Sequence, residues 1–467
     1  MNDAPRVTAT TLSISEFTTN NAEVGTITAV DPEGAAITAY SILTGNTNSA
    51  FKIDNAGVIR VNDASKIDFE ALVKYTLTIK ATDAGGGFSS KINETGPITI
   101  NIENAFVDLS IPALDSDNTI TVSRINNTLV ARRLGVDLFT SAGIEDVGSL
   151  TINGGSAKDT VILDASLNSA GSPATKKFTG QIIVNGNAGD DKLDAGKITV
   201  ATFGIQFNGG ANNDTALGGA GHDRFFGGDG NDSLNGGAGN DTLVGDSGSD
   251  QLVGGTGNDT YFFADTNAAE TDTLTELPSA GNDTLDFSQL TTAVQVNLHL
   301  EVGMATHASR TVNTSAIGST KLSGNFENVN GGSGNDVILG NAAANSLNGG
   351  SGNDSLDGDS GNDTINGGSD DDAIFGGDGN DVINGNEGSD TIIGDAGNDT
   401  IHGDAGDDTV IGGLGADQLF GDADNDTGLG GNGGVARGGN GLKNSGDVLN
   451  ASFETINEAF NTVFPFE

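Results

Sequence analysis

The stretch Gly209-Gly210-Ala211-Asn212-Asn213-Asp214-Thr215-Ala216-Leu217 opens a row of six nine-residue frames. It continues as GGAGHDRFF (218–226), GGDGNDSLN (227–235), GGAGNDTLV (236–244), GDSGSDQLV (245–253) and GGTGNDTYF (254–262). A second row of eleven frames begins at Gly331 and runs unbroken through the frame at Gly421, and an isolated frame, GNAGDDKLD, spans 186–194. The unit is G-G-x-G-x-D-x-U-x, with U apolar. Glycine at positions one, two and four relieves the steric limit on left-handed φ, so the chain turns there. The last three residues alternate, which points position eight inward. Two frames make one coil with two short strands, and coils stack about 4.8 Å apart. The inward residues run from Ala216, Phe225, Leu234, Leu243, Leu252 and Tyr261 in the first row to Leu419 in the second, where Gly428 breaks the pattern.

Position six is acidic in every frame but one. The first row supplies Asp214, Asp223, Asp232, Asp241, Asp250 and Asp259. The second supplies Asp336, Asp354, Asp363, Asp372, Asp381, Asp390, Asp399, Asp408, Asp417 and Asp426, with Asn345 as the exception. Stacking sets these carboxylates in columns, where like charges repel strongly unless a cation intervenes. Calcium takes six to eight oxygens, and glycine-rich turns offer unshielded carbonyls beside each Asp; magnesium resists dehydration and fits less well. One inward apolar residue per frame cannot by itself offset chain entropy, so folding is expected to be coupled to calcium.

These frames resemble the RTX calcium-binding nonapeptide repeats, which form a parallel β-roll. The resemblance implies multiple Ca2+ ions held by turn carbonyls and by the position-six Asp residues above. Frame Gly340 lacks glycine at position four, and frame Gly367 has Asp370 there. Weaker or missing ions are expected beside those turns and beside Asn345.

Residues 1–104 alternate apolar and polar residues in short runs, such as Tyr75-Thr76-Leu77-Thr78-Ile79-Lys80-Ala81 and Ile98-Thr99-Ile100-Asn101-Ile102. About seven such strands argue for a β-sandwich. Phe51-Lys52-Ile53-Asp54-Asn55-Ala56-Gly57-Val58-Ile59, Ile67-Asp68-Phe69-Glu70 and Ala81-Thr82-Asp83-Ala84-Gly85 resemble the motifs of a cadherin repeat, with Asp31-Pro32-Glu33 in place of D-x-D. In that family calcium binds at junctions between repeats. The resemblance therefore places Glu16, Asp68 and Glu70 toward a C-terminal junction. It places Asp31, Glu33 and Asp83, with Asn2 and Asp3, toward an N-terminal one. The exit linker Ile102-Glu103-Asn104-Ala105 departs from the family's Asp-rich pattern, so the C-terminal site is incomplete.

Between these regions, 105–208 repeats a strand, an Asn-Gly and an Asp-containing turn at longer, irregular intervals, as at 149–155, 181–186 and 204–210. That pattern suggests a parallel β-helix, with an antiparallel sandwich as the rival. Residues 264–330 lose the period and read as a β-rich spacer between β-roll block 1 (209–263) and block 2 (331–429). In 430–467, Phe453, Ile456 and Phe460 mark one apolar face of a helix. That helix either caps the roll or, together with the tail Val463-Phe464-Pro465-Phe466-Glu467, acts as a secretion signal. The whole chain is thus expected to be all-β: a cadherin-like β-sandwich followed by a parallel β-helix and RTX β-roll blocks.

The 467 residues carry 20 Lys and Arg against 64 Asp and Glu, a formal charge of −44. Such a field repels nucleic acid and anionic membranes and attracts cations. Cysteine is absent, which excludes disulfides and thiolate metal sites. No apolar run is long enough to span a membrane. The start, Met1-Asn2-Asp3-Ala4-Pro5-Arg6, has no apolar signal region and reads as the interior of a longer protein with a start Met added. No H-E-x-x-H and no G-x-S-x-G elbow is present, and no Gly-Lys-Ser/Thr follows the glycine-rich turns. Gly245-Asp246-Ser247-Gly248 sits in frame as one more repeat.

The leading expectation is a non-catalytic, extracellular, calcium-stabilised protein, and the resemblance to RTX and cadherin repeats implies a structural or adhesive role at a bacterial surface or matrix. Expected partners beyond calcium are cell-surface polysaccharide or other copies of the chain. The alternative is a calcium-stabilised module of a secreted polysaccharide-acting enzyme, with Asp159, Asp164 and Asp190 as candidate acid–base groups. A third reading is an accessory module whose catalytic partner lies N-terminal.

Overall fold

The computed structural model describes residues 5–429 and 435–437, apart from 16–17, 33, 68–73, 85–97, 104–106, 113–115, 126–127, 141–146, 169–179, 265–269, 277–280, 299–303, 308–309 and 317–325. The chain divides into two compact units, Met1–Val107 and Asp108–Glu467.

In the first unit, Thr11–Ser15, Ile98–Glu103, Lys74–Asp83 and Ile37–Thr44 form a four-stranded sheet. Glu23–Thr26, Val58–Val61 and Phe51–Ile53 form a three-stranded one. Alternation along Lys74–Asp83 buries Tyr75, Leu77, Ile79 and Ala81 on one face, as the period-two pattern requires. They share a core with Phe51, Ile59 and Val61 of the three-stranded sheet and with Ile98 and Ile100 of the neighbouring strand. Phe51 and Tyr75 pack edge to face with ring centroids 4.9 Å apart.

The second unit is a stack of parallel coils. Among the described residues, two long sheets of fifteen and eighteen strands run its length. Within the repeats each strand pairs with the one two frames away: Leu234 lies beside Leu252, and Leu347 beside Ile365. Every expected inward residue is at most 1% exposed, and together they form one continuous apolar core from Ile111 to Leu419. In 118–214 the coils are longer. Asp159 and Asp191 are 32 residues apart, Asp191 and Asp214 23, and the spacing settles at 18 from Asp214 to Asp232.

Two features depart from a plain parallel stack. Asn118–Ile125, Thr128–Arg133 and Val136–Thr140 pair antiparallel within the region expected to be a parallel β-helix. Leu134 and Gly135, at φ +50° and +79°, form a two-residue hairpin turn that reverses the chain there. Residues 264–330 lack the glycine frames, yet their strands sit in the same two sheets. Thr284–Asp286 bridges Thr260–Phe262 and Asn328–Asn330, while Val294–Asn297 joins Val337–Asn341. An antiparallel excursion through Met304–His307 interrupts this coil. At the far end, Val435–Arg437 adds one more strand beside Gln418–Phe420. The apolar face expected at Phe453, Ile456 and Phe460 lies outside the described residues.

Candidate metal centres

The position-six residues are brought together in two columns. In the first row, Asp214 N–H donates to Asp232 Oδ1 at 2.7 Å, and Asp232 N–H to Asp250 Oδ1 at 2.8 Å. A parallel ladder joins Asp223, Asp241 and Asp259. The second row repeats the arrangement, from Asp336 through Asp354, Asp372, Asp390 and Asp408 to Asp426, and from Asp363 through Asp381 and Asp399 to Asp417. One carboxylate oxygen thus joins coil to coil.

The other oxygen is what makes these turns candidate metal sites. Oδ2 of Asp214, Asp232, Asp241, Asp259, Asp354, Asp363, Asp372, Asp381, Asp390, Asp399, Asp408, Asp417 and Asp426 is buried with no hydrogen-bond partner. Such an atom is costly unless a proton or a cation meets it. A Cβ at Gly227 would collide with Asp232 Oδ2 and come within 2.7 Å of the Gly245 carbonyl oxygen, so both oxygens face the space that the missing side chain leaves. This all-oxygen donor set fits a hard dication such as calcium. Bound there, calcium would neutralise the columns.

Burial pushes these carboxyls up, and at Asp214, Asp232, Asp241, Asp354, Asp363, Asp372, Asp399 and Asp408 neighbouring carboxylates add to the effect. Asp241 and Asp354 rise to about 8. Asp214, Asp232, Asp363, Asp372 and Asp399 rise to about 7. Asp223 and Asp408 rise to about 6. Asp259, Asp336, Asp381, Asp390 and Asp426 shift the same way.

The two irregular frames are handled differently. Asn345 replaces the carboxylate with an amide whose hydrogen bonds stay within the fold. Its Nδ2 donates to Glu327 O at 3.1 Å and to Asn341 Oδ1 at 3.3 Å, and its Oδ1 accepts Asn341 N–H at 2.8 Å. Asp370 takes the place of a turn glycine at φ +80°, a conformation Asp tolerates better than most residues.

Five further acids occupy the same columns outside the two rows of frames. Asp159, Asp191 and Asp272 continue the column of Asp214 and Asp250. Asp283 and Glu327 continue that of Asp259. Each is followed two residues later by a buried apolar residue: Val161, Leu193, Leu274, Leu285 and Val329. That D/E-x-U spacing was the available signal. A second ladder runs at position five, in the opposite direction. Asn231 N–H donates to Asn213 Oδ1, Asn240 N–H to His222 Nδ1 and Asn398 N–H to Asn380 Oδ1.

Of the cadherin-type residues, Asp31 is buried and its Oδ1 accepts Ala35 N–H at 2.9 Å. Asp83 ends its strand, paired with Ile37. Glu16, Glu33, Asp68 and Glu70 lie outside the described residues, as do Asn2 and Asp3. The three carboxylates considered for acid–base work all accept hydrogen bonds. Asp159 accepts Gly155 N–H at 3.0 Å and Asn118 Nδ2–H at 2.8 Å. Asp164 accepts Ser166 N–H at 2.9 Å, which holds its carboxyl below the usual range. Asp190 accepts Asn213 N–H at 3.3 Å.

Comparison with known families agrees with this geometry. The RTX calcium-binding nonapeptide repeat model matches residues 183–197 and, in overlapping stretches, 208–261 and 330–434. The cadherin domain model matches 10–103. Among curated relatives, Cadherin-99C of Drosophila melanogaster is 31% identical over 132 residues, which is 28% of this chain and 7% of that protein. The Protocadherin-like wing polarity protein stan of the same organism is 31% identical over 171 residues, 35% of this chain and 4% of that protein. The chain therefore spans only a small part of the relatives it matches. Solved structures with local similarity include Drosophila N-cadherin EC1-3 (23% identity, 22% of this chain, 34% of that chain, TM-score 0.18). Another is chicken VE-cadherin EC1-2 (30% identity, 22% of this chain, 51% of that chain, TM-score 0.17). No helix among the described residues is long and apolar enough to cross a membrane. RTX repeats and cadherin domains both bind calcium, and both occur in extracellular or secreted proteins. This chain carries an N-terminal cadherin domain followed by RTX calcium-binding nonapeptide repeats.

Proposed function

We propose that the chain is an extracellular structural or adhesive protein of a bacterial cell surface or matrix, folded and stiffened by calcium. The position-six Asp residues and their turn carbonyls are the proposed ligands. The observation that carries this reading is the stacking of buried position-six carboxylates, among them Asp214, Asp232, Asp241, Asp354, Asp381 and Asp399, whose Oδ2 atoms have no hydrogen-bond partner. Binding free energy to these atoms becomes folding free energy for the stack. Asp31, Glu33 and Asp83, with Glu16, Asp68 and Glu70, are proposed as half-sites at the ends of the cadherin domain, to be completed by neighbouring repeats. Cell-surface polysaccharide and further copies of the chain are the proposed partners. Circular dichroism during titration with EDTA tests the reading. A large loss of β signal, restored by added calcium, supports it; a signal indifferent to chelation overturns it.

A further inference from the structure

Tyr261 fills the inward position of frame 254–262, where most frames place Leu, Ile or Val. It is fully buried, and its ring packs edge-on against Phe326 with centroids 5.5 Å apart. A buried phenol needs partners. Gly254 N–H donates to the hydroxyl at 2.6 Å, and the hydroxyl donates to Glu276 Oε1, with the Thr275 carbonyl at 3.2 Å.

Glu276 belongs to no nonapeptide. Val253 pairs with Thr275, so Glu276 follows in register beside Gly254, where the regular repeat would set another position-one glycine. Glu276 stands four residues after Asp272, the place of a position-one glycine, and the two residues by which Asp272 to Asp283 exceeds a frame come after it. One ligand oxygen from each of Asp259, Glu276 and Asp283 lies within 4.8 Å of the other two, and all three residues are buried. Asp259 Oδ1 accepts Asp241 N–H at 2.7 Å, whereas its Oδ2 has no hydrogen-bond partner. That oxygen is aimed at Glu276, since a Cβ on Gly254 would collide with both Glu276 Oε1 and Asp259 Oδ2.

We propose that Asp259, Glu276 and Asp283 form an additional calcium site inside the stack, with the Tyr261 hydroxyl positioning the glutamate. Their spacing suits a common calcium ion, whose bonds to oxygen run about 2.3–2.6 Å. The Thr275 carbonyl and the Tyr261 hydroxyl add neutral oxygens. The site rests on the proposed function in taking calcium as the ion and in sharing Asp259 with the turn sites, whereas Glu276 and Asp283 lie outside the repeat that defines them.

The test uses the full chain and two variants. Bound calcium is counted by equilibrium dialysis, and terbium is then substituted and excited through tyrosine. The chain has three tyrosines and no tryptophan, so Tyr261 is one of few donors. Glu276→Gln is expected to bind one calcium fewer and to lose the Tyr261-dependent emission while keeping the other ions. Tyr261→Phe retains every carboxylate and should lose the same emission with the ion count unchanged. It decides the matter if Glu276→Gln fails to fold. Wild-type ion count and emission in Glu276→Gln, or wild-type emission in Tyr261→Phe, overturns this site alone. A chain that binds no calcium at all overturns the proposed function as well.

Discussion

Strand Lys74–Asp83 of the N-terminal unit buries Tyr75, Leu77, Ile79 and Ala81 within ten residues, whereas frame 227–235 buries only Leu234 beside the carboxylate of Asp232. Both are β-structure. One gains its stability from apolar area, roughly 25 cal/mol per Å² removed from water. The other spends every ninth residue on a buried acid and depends on what neutralises it. Regular period and high strand content therefore do not imply similar energetics.

The sharpest way to break this comparison is to replace calcium by protons. The folded carboxyls of Asp241, Asp354 and Asp214 stand at about 7 to 8, above their value of 3.8 in the absence of burial. The calcium-free folded stack then binds more protons than the unfolded chain between about pH 4 and 8, and its stability rises as pH falls through that window. Without calcium, acidification from about pH 8 to 5 should restore much of the β signal of the stack. With calcium present the dependence should reverse, because protons compete for the same oxygens and weaken binding. A calcium-free signal that is flat over this range contradicts the ledger of buried charge.

Phe51→Ala probes the other side of the comparison. Truncating this buried ring against Tyr75 should destabilise the N-terminal unit by about 3–5 kcal/mol. Thermal melting should show the loss with or without chelator, and the stack's transition should stay in place. A comparable shift in the stack would show that the two units are energetically one.

Within the stack, Asp381→Ala should weaken calcium binding more than Asp426→Ala. Asp381 is bonded to Asp363 on one side and Asp399 on the other, and at least a tenfold loss is expected, about 1.4 kcal/mol. Asp426 closes its column, and Gly428 lies opposite Val410 where an apolar residue would otherwise pack. Equal losses by calorimetry would contradict the stacked columns. The smallest effect is expected from Asn345→Asp, which removes the amide donors to Glu327 and Asn341 and installs a carboxylate. Calcium-free stability should fall by about 1 kcal/mol, with a compensating gain in calcium affinity. Unchanged stability without calcium would deny the amide its role as a local substitute for an ion.

Much of this was legible because the repeat states it. The period fixes the coil, the eighth residue fixes the core and the sixth fixes the columns, from Ala216 and Asp214 to Leu419 and Asp417. Asp159, Asp272, Asp283 and Glu327 went unread as column members because glycine was used as the marker, and Asp191 because its frame, 186–194, stands apart from the two rows. A column needs only an acid two residues before an inward apolar side chain, and coils of other lengths can supply it. The position-five ladder was hidden because Asn there accepts from the next coil, a contact that has no signature within one frame. Glu276 was hidden for the opposite reason: it lies in a break of the pattern, and only strand register sets it beside Gly254. The hairpin at Leu134-Gly135 went unread because Leu is an unexpected residue at positive φ.

The central claim is that the N-terminal unit folds on its apolar core and the stack folds on its ions. Hydrogen exchange of the full chain, read peptide by peptide with calcium and with EDTA near pH 8, tests it most directly. The account predicts that Lys74–Asp83 and Ile98–Glu103 stay protected in both conditions, whereas Ser233–Ala238 and Val382–Glu387 are protected only with calcium. Protection of the stack that survives chelation, or loss of protection in both units together, would contradict it.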